Sequence, residues 1–346
     1  MPTIDEIAKL ANVSPATVSK VINNRSYVRA TTRARVEQVI AETGYVPSQR
    51  ARWLSTRRSH ILGLLIPYRS DQIFADPHLL EIMRGIESVA DEHGYSLLLS
   101  TVRTGGEAAN PMARLLSSDV TDGAVVVETL DVRPETAPAG VEKPWAVIGY
   151  ANDCAAPAIH ADDYGGACMV TGHLLELGHR RIGVISSAPR PSALDERLRG
   201  VRDTLRANGL DLADPLLGVG DFSPESGERA ALQLLALPEP PSAIFALNDR
   251  MAFGALRAAQ QLGLSIPAEL SVVGFDDISL ATLLTPALTT VRQPGYQLGV
   301  AAAEAVFAIL DGAPLASPVV IPTRLVVRAT TAPPRKEVMD ESGTVA

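Results

Sequence analysis

Two periodicities divide this chain. Up to residue 59 the apolar positions recur as they do on short amphipathic helices; from residue 61 short apolar runs alternate with longer helical patterns. In the first stretch, "TIDEIAKLANVSPATVSKVIN" predicts two helices joined by a tight turn. Thr3 is placed to N-cap the first, with Glu6 as its reciprocal partner in a capping box. Ile7, Ala8, Leu10 and Ala11 form its apolar side. Asn12 sits where the chain reverses, a residue type that tolerates left-handed backbone angles. Ser14 caps the second helix and Pro15 takes its first position, where a missing N–H costs nothing. Val18, Val21 and Ile22 face inward, leaving Pro15, Ala16, Thr17, Ser19 and Lys20 outward. "TTRARVEQVIAETGY" predicts a third helix, capped by Thr31 or Thr32, packed through Val36, Val39 and Ile40 and stopped by Gly44. Three such helices make a helix-turn-helix head, whose second helix is shaped to enter a DNA groove.

Beyond residue 60, "ILGLLIP", "YSLLLSTV", "GAVVVE" and "WAVIGY" predict buried strands, with a helix over 79–94 between the first two. The rhythm then repeats: helix 164–177, strand "RIGVIS", helix 194–208, strand 217–221, helix 225–236, strand "SAIFALN", helix 249–262, strand "LSVVGFDD" and helix 296–311. Alternation of this kind predicts parallel sheets with helices on both faces, and two sets predict an α/β body of two Rossmann-like subdomains.

The whole chain carries a net charge of −8, which argues against a polyanionic partner. Its distribution reverses that. Residues 1–59 hold ten Lys and Arg against four Asp and Glu, a net of +6, so the remainder carries −14. A basic head on an acidic body is the layout expected when the head alone meets phosphate. Cys154 and Cys168 are the only cysteines and form no C-x-x-C pair, which fits a reducing cytoplasm and predicts neither disulfide nor zinc site. No run of 18 apolar residues predicts a membrane span, and "MPTIDEIAKL" lacks a basic-then-apolar export pattern.

Between head and body stands "RARWLSTRRS", four arginines flanking Trp53 and Leu54. A solvated linker needs no large apolar pair, and a core helix needs no arginines. Taken with "TIDEIAKLANVSPATVSKVINN" and "GYVPSQRARWLSTRRSHILGLLIP", this segment closely resembles the start of the LacI/GalR family of bacterial repressors, and the resemblance runs over about residues 2–332. It implies a helix-turn-helix domain over 1–46 and a hinge over 47–60. It further implies a two-lobed, periplasmic-binding-protein-like body over 61–332 that binds an effector and dimerises, and a disordered tail over 333–346. Crossings between lobes are expected near 160, 290 and 320, giving lobe 1 as 61–160 with 292–320 and lobe 2 as 161–290 with 321–332. In the family the hinge folds on specific DNA, paired with its dimer mate in the minor groove, and a leucine is levered between base pairs. That leucine maps to Leu54, with Ala51 beside it. An apolar wedge of this sort costs about a few kcal/mol in unstacking and gains a bent duplex that meets more protein. Pro47 ends the preceding segment and Ser48 can cap the hinge helix. Base reading falls to Ala16 and Lys20, helped by Pro15 and Thr17: lysine donates to guanine O6 and N7, and an alanine methyl suits a thymine methyl. Thr3, Ser14, Ser19, Asn23 and Arg35, with Thr17, complete the DNA-facing set, chiefly as phosphate contacts that orient without specifying.

Ligands of open α/β sheets bind beyond the carboxyl ends of the strands. There the resemblance places Arg197, Phe222, Asn248 and Asp276 as effector contacts, with His78 beside them. The family's N-P-F-F entry to its first body helix reads Asp76, Pro77, His78, Leu79 here, a loss of both aromatics. Asp249 is expected to cap its helix, Asp277 to lie in a loop or interface, and Asp162 and Tyr164 to line the cleft or cap the helix that follows. Enzyme chemistries fail on detail. "GVGDF" starts like a dinucleotide loop, but Ser223 stands where the third glycine belongs, and no Walker loop, G-x-S-x-G or H-E-x-x-H occurs. The expected protein is therefore a non-enzymatic, cofactor-free, metal-free and cytoplasmic (nucleoid-associated) regulator. The resemblance implies that it binds a near-palindromic duplex operator as a homodimer and takes a sugar or related metabolite as effector. The alternatives are an extracytoplasmic sugar receptor, which would need an export signal and no basic head, and a ligand-free architectural DNA-binding protein, which would need an apolar cleft.

Overall fold

The computed structural model describes residues 2–22, 27–45, 58–67, 73–101, 111–117, 119–128, 143–151, 156–188, 190–313 and 317–335. Asn23, Pro47, Ser48, Ala51, Trp53 and Leu54 lie outside them, as does the tail from 336. The chain divides into two compact units, residues 1–60 and 61–346.

The head has three helices, α1 (Ile4–Leu10), α2 (Pro15–Ile22) and α3 (Ala30–Thr43). Thr3 and Glu6 form the reciprocal capping box. Asn12 has φ 52° in the turn, and Ser14 Oγ accepts from Thr17 N–H at 3.2 Å. Ile7, Ala8, Ala11, Val18, Val21, Val36 and Tyr45 form the core. Two expectations need correcting. Leu10 is 62% exposed: at 3.6 residues per turn it lies about 100° from the centre of the stripe made by Ile7, Ala8 and Ala11. Neither Thr31 nor Thr32 caps α3. Val28 packs on the head core and brings the chain in earlier, so Arg29 is the N-cap, without a side-chain bond, and both threonines fall in the first turn. Gly44 closes α3 at φ 62°, as its position predicts.

The body contains two six-stranded sheets. The first uses β1 (Ile61–Ile66), β2 (Ser96–Thr101), β3 (Gly123–Val127), β4 (Trp145–Ile148), β5 (Ala158–Ala161) and β11 (Val319–Ile321), all parallel, in the order β11–β5–β4–β3–β1–β2. The second uses β6 (Ile182–Ser187), β7 (Leu217–Gly220), β8 (Ala243–Ala246), β9 (Ser271–Asp276), β10 (Thr289–Arg292) and β12 (Arg324–Val326), in the order β12–β10–β9–β8–β6–β7. Only its edge strand β12 runs antiparallel. This is the α/β double-subdomain body that the alternation of elements predicts.

Helices sandwich both sheets. α4 (Pro77–Glu92) and α11 (Gly295–Leu310) cover one face of the first, packing on Leu62, Leu64, Ile66, Val125 and Ile159. α5 (Pro111–Leu116) covers Leu65, Ala124, Val126 and Trp145 on the other. On the second sheet α6 (Asp163–Glu176) and α7 (Ser192–Ala207) pack against Val184, Phe245 and Val273. α8 (Pro224–Leu235) and α9 (Asp249–Gln261) pack against Ile185, Ile244 and Val272. Neighbouring strand residues thus serve opposite faces, the period of two of a sheet covered on both sides. α10 (Leu280–Leu283) is a single short turn. Helix pairs approach closely where glycine faces a backbone: a Cβ on Gly85 would lie 2.1 Å from Tyr296 O, and one on Gly254 2.1 Å from Pro224 O.

The chain passes from one sheet to the other after Ala161, after Arg292 and after Ile321, since β5 and β11 belong to the first sheet and β10 and β12 to the second. These short strands, with α5, have no counterpart in the periodicity reading. "AIHA", "TTVR", "VVI" and "RLV" are each three or four residues long, too short for alternation to register.

Candidate functional site

The head presents Thr3, Ser14, Pro15, Ala16, Lys20 and Arg35 on exposed positions, with Thr17 and Ser19 half-buried. Burial of Val18 and Val21 turns the other side of α2 outward. Ser14 Oγ and Thr17 Oγ1 lie 2.9 Å apart, so the cap that starts α2 also orients a hydroxyl pair. Lys20 Nζ stands 5.1 Å from the centre of the Tyr27 ring, an exposed aromatic that the periodicity reading passed over. The outward face therefore offers donors, a cation and small apolar groups, the mixture a groove reader needs.

The body holds a cavity of about 360 Å³ between its two sheets, at the carboxyl ends of their strands. Glu128 follows β3, Tyr150 follows β4 and His160 is the last residue but one of β5, all from the first lobe. Asp221 and Phe222 follow β7, Asn248 follows β8 and Asp276 ends β9 from the second. His78 enters from the first turn of α4, Arg197 from α7, Arg250 from α9 and Gln293 from the second crossing.

Arg197 is the hub. Only 4% exposed, it donates from Nε to Asp163 Oδ1 at 2.8 Å and from Nη1 to the Leu247 carbonyl at 2.6 Å. Its guanidinium lies 3.7 Å over the Phe275 ring, and Asp276 Oδ1 is 3.6 Å from Nη1. Asp163 also accepts from Tyr150 OH at 3.1 Å, which ties the first lobe to the buried pair. Burial pushes the Asp163 carboxyl above the usual carboxylate range even with Arg197 against it. Burial, with the charges of Asp76 and Asp163 nearby, pushes Asp276 up to about 7. Asp249 is pushed up to about 8, by burial first and by Asp276 next. Burial raises Tyr150 and lowers His78, which favours the neutral imidazole, with one nitrogen a donor and the other an acceptor, against the pull of Asp76. Burial in low dielectric is the common and largest cause, and neighbouring carboxylates add to it at Asp276 and Asp249.

Among the described residues five non-glycines have φ between +20° and +160°. Three of them cluster here: Phe222 at 70°, Asp276 at 128° and Asp277 at 58°. Such conformations cost about 1–3 kcal/mol each and persist where surrounding structure holds them, commonly at functional sites. Gln293 supplies part of that hold, donating from Nε2 to Asp276 Oδ1 at 3.0 Å and from its backbone N–H to the Asp276 carbonyl at 3.2 Å.

Residues 3–48 match the family described as bacterial regulatory proteins, lacI family, and residues 171–331 match the periplasmic binding protein-like domain. The chain is 34% identical over 313 residues to the HTH-type transcriptional repressor CytR of Escherichia coli K12, covering 89% of each. The chain belongs to the LacI family. It is a DNA-binding transcriptional regulator, not an enzyme, as its relatives are repressors. Among solved structures, the Lac repressor dimer bound to operator and the anti-inducer ONPF superposes with a TM-score of 0.85 at 29% identity, covering 96% of this chain and 99% of that one. A complex of the transcriptional regulator CelR with cellobiose gives 0.71 at 30% identity, covering 95% and 100%.

Within this LacI-family body, all five expected cleft residues, His78, Arg197, Phe222, Asn248 and Asp276, line the one cavity. Their local roles differ from simple contact. Asn248, not Asp249, caps α9: its Oδ1 accepts from Met251 N–H at 2.9 Å. Asp249 is instead fully buried, accepting from Ile278 N–H and from Thr290 Oγ1, because the helix starts one residue sooner and turns it into the core. Asp277 is buried between Arg292 and Arg328. Asp162 caps α6, and Tyr164 bonds Asp203 outside the cleft. The cleft also holds residues that sequence reading did not single out: Glu128, Tyr150, His160, Asp163, Arg250 and Gln293. Most of the first-lobe members were findable. "GAVVVE" and "WAVIGY" end on Glu128 and Tyr150, the same strand-tip rule that pointed to Asp276. Asp163 and Gln293 carry no such signal, lying at crossings visible only once the strands pair.

Proposed function

We propose that this regulator binds a near-palindromic operator as a homodimer and that a sugar-type metabolite in the interlobe cleft sets its DNA affinity. Residues 1–46 serve as the DNA-binding domain and 47–60 as the hinge. Lobe 1, residues 61–160 with 292–320, and lobe 2, residues 161–290 with 321–332, serve as the effector and dimerisation body. The observation that carries the reading is the convergence of polar side chains from six strand tips of two sheets on one cavity, in a chain that also bears an exposed helix-turn-helix face. Relatives supply the occupants: a Lac repressor dimer holds operator and an anti-inducer, and CelR holds cellobiose.

The mechanism gives each group a part. Ala16 and Lys20 read base edges. Thr3, Ser14, Pro15, Thr17, Ser19, Asn23 and Arg35 position the head on the duplex. Leu54, with Ala51, wedges the minor groove when two hinges pair. A ligand held by His78, Arg197, Phe222, Asn248 and Asp276 touches both lobes, so it favours one closure angle. Closure changes the separation of the hinge entries and with it the stability of the paired hinges. Coupling of this type is typically about 1–3 kcal/mol.

The test has two arms. A duplex selected from a random pool should be bound by full-length protein sedimenting as a dimer, and Leu54→Ala should lose preference for it over random duplex while the body stays folded. Phe222→Ala, whose side chain is half-buried in the cleft wall, should bind the selected duplex normally and lose the response to the metabolite that shifts the parent protein. Unchanged discrimination by Leu54→Ala, or an unchanged response by Phe222→Ala, would refute the corresponding half.

A further inference from the structure

The charge inventory of the cleft is lopsided. Its described lining holds five carboxylates, Asp76, Glu128, Asp163, Asp221 and Asp276, against two guanidinium groups, Arg197 and Arg250, and no lysine. Both cations are already paired within the same lining. Arg197 Nε is held by Asp163 at 2.8 Å, and Arg250 Nη1 lies 3.5 Å from Asp76 Oδ2. An anionic group entering here meets no uncommitted cation. It has to take a guanidinium from its carboxylate partner, buried Asp163 or half-buried Asp76, which leaves that carboxylate uncompensated, and it also faces the others in a partly desolvated space. Hydroxyl groups face the opposite situation. Gln293 Nε2 and Arg197 Nη1 both address Oδ1 of Asp276, which leaves Oδ2 as an acceptor. The neutral His78 ring adds one donor and one acceptor, and Phe222 offers a ring face. About 360 Å³ is at the small end for ligand pockets and suits one or two sugar-sized rings.

We infer that the cleft selects uncharged, hydroxyl-rich rings and rejects their phosphorylated and carboxylated derivatives, the surplus of carboxylates around Arg197 and Arg250 being the discriminating element. This rests on the reading of the cleft as the effector site and adds to it a rule about charge. Biologically, the regulator then reports the free metabolite and is blind to the phosphate ester that a kinase makes from it.

The experiment uses the full chain and matched probes: ribose with ribose 5-phosphate, glucose with glucose 6-phosphate and glucuronate, and cellobiose with cellobionate. Binding is read by thermal shift and isothermal titration calorimetry at pH 7.5. At least one neutral probe binds, and its charged derivatives bind at least about 100-fold more weakly, the scale set by one uncompensated carboxylate a few ångströms from an added charge. Asp221→Asn with Glu128→Gln, on the exposed rim carboxylate after β7 and the half-buried carboxylate after β3, narrows that gap by about tenfold. A charged derivative that binds as tightly as its parent overturns the charge rule while leaving the cleft as the effector site. A rim variant that leaves the gap unchanged overturns the assignment of the discriminating groups. Failure of every probe, neutral and charged, overturns the hydroxyl-rich ligand itself and with it the sugar reading of the cleft.

Discussion

Replacing Arg197 with methionine keeps most of the side-chain volume and removes the charge. The local cost follows from the partners left behind. The Arg197 and Asp163 side chains are 5% and 2% exposed, and Asp276 is 10% exposed. Breaking a buried pair by deleting one member costs about 3–5 kcal/mol, because the remaining charge is stranded in low dielectric. For a body of this size that corresponds to a drop of roughly 6–10 °C in Tm, at about 2 °C per kcal/mol. Two features make the effect distinctive. Asp163 and Asp276 are already raised in the folded protein, so without Arg197 they rise further and take up protons. The deficit at pH 7.5 should therefore shrink markedly by pH 5.5. Arg197→Met combined with Asp163→Asn should recover much of the loss, since an amide needs no counter-charge. Denaturant melts followed by circular dichroism at the two pH values measure all of this. A loss below about 1 kcal/mol, or the same loss at both pH values, would refute the picture of a cation holding two reluctant carboxylates. It also follows that Arg197→Ala is a poor reporter of ligand contact, since a fold defect would accompany any binding defect; Phe222→Ala is the cleaner variant.

Other expectations are equally open to measurement. Asp276 at about 7 and Asp249 at about 8 lie above their unfolded values near ~4, so their contribution is full below pH ~4 and is lost as pH rises through the folded values. Body stability should accordingly decline between pH 5.5 and 8.5, and Asp276→Asn should flatten that slope; an unchanged slope counts against the assignment. Gly254→Ala places a methyl 2.1 Å from Pro224 O and 2.4 Å from Glu228 N, so α8 and α9 must part, at about 1–3 kcal/mol in denaturant melts of the body. In the head, Ser14→Ala removes the α2 cap bond and should cost about 1 kcal/mol of head stability. Lys20→Ala should cost about 1–3 kcal/mol on the preferred duplex and relax base preference at one position, read by competition binding; uniform weakening on every sequence would make Lys20 a phosphate contact.

Much was legible along the chain because it is local. Caps at Thr3 and Ser14, the Asn12 reversal and the Gly44 stop depend on bonds spanning a few residues, and each stands where side-chain chemistry alone places it. The long strands and helices announced themselves because a doubly covered sheet demands continuous apolar runs and its helices a 3.6-residue stripe. Strand tips are then known in order, which puts Phe222, Asn248 and Asp276 beyond the carboxyl ends of their strands; Arg197, inside α7, and the role of all four as effector contacts come from the family resemblance. Tertiary structure alone decided what those residues do to each other. That Asp163 pairs with Arg197 across 34 residues, that Asn248 rather than Asp249 caps α9, and that Gln293 grips Asp276 all depend on which strands lie side by side. Short strands such as β5 and β10 form because neighbouring strands offer them hydrogen-bond partners, not because four residues carry a pattern. Charges separated along the chain acquire their energetics only when folding removes the water between them, and no periodicity records where that water is lost.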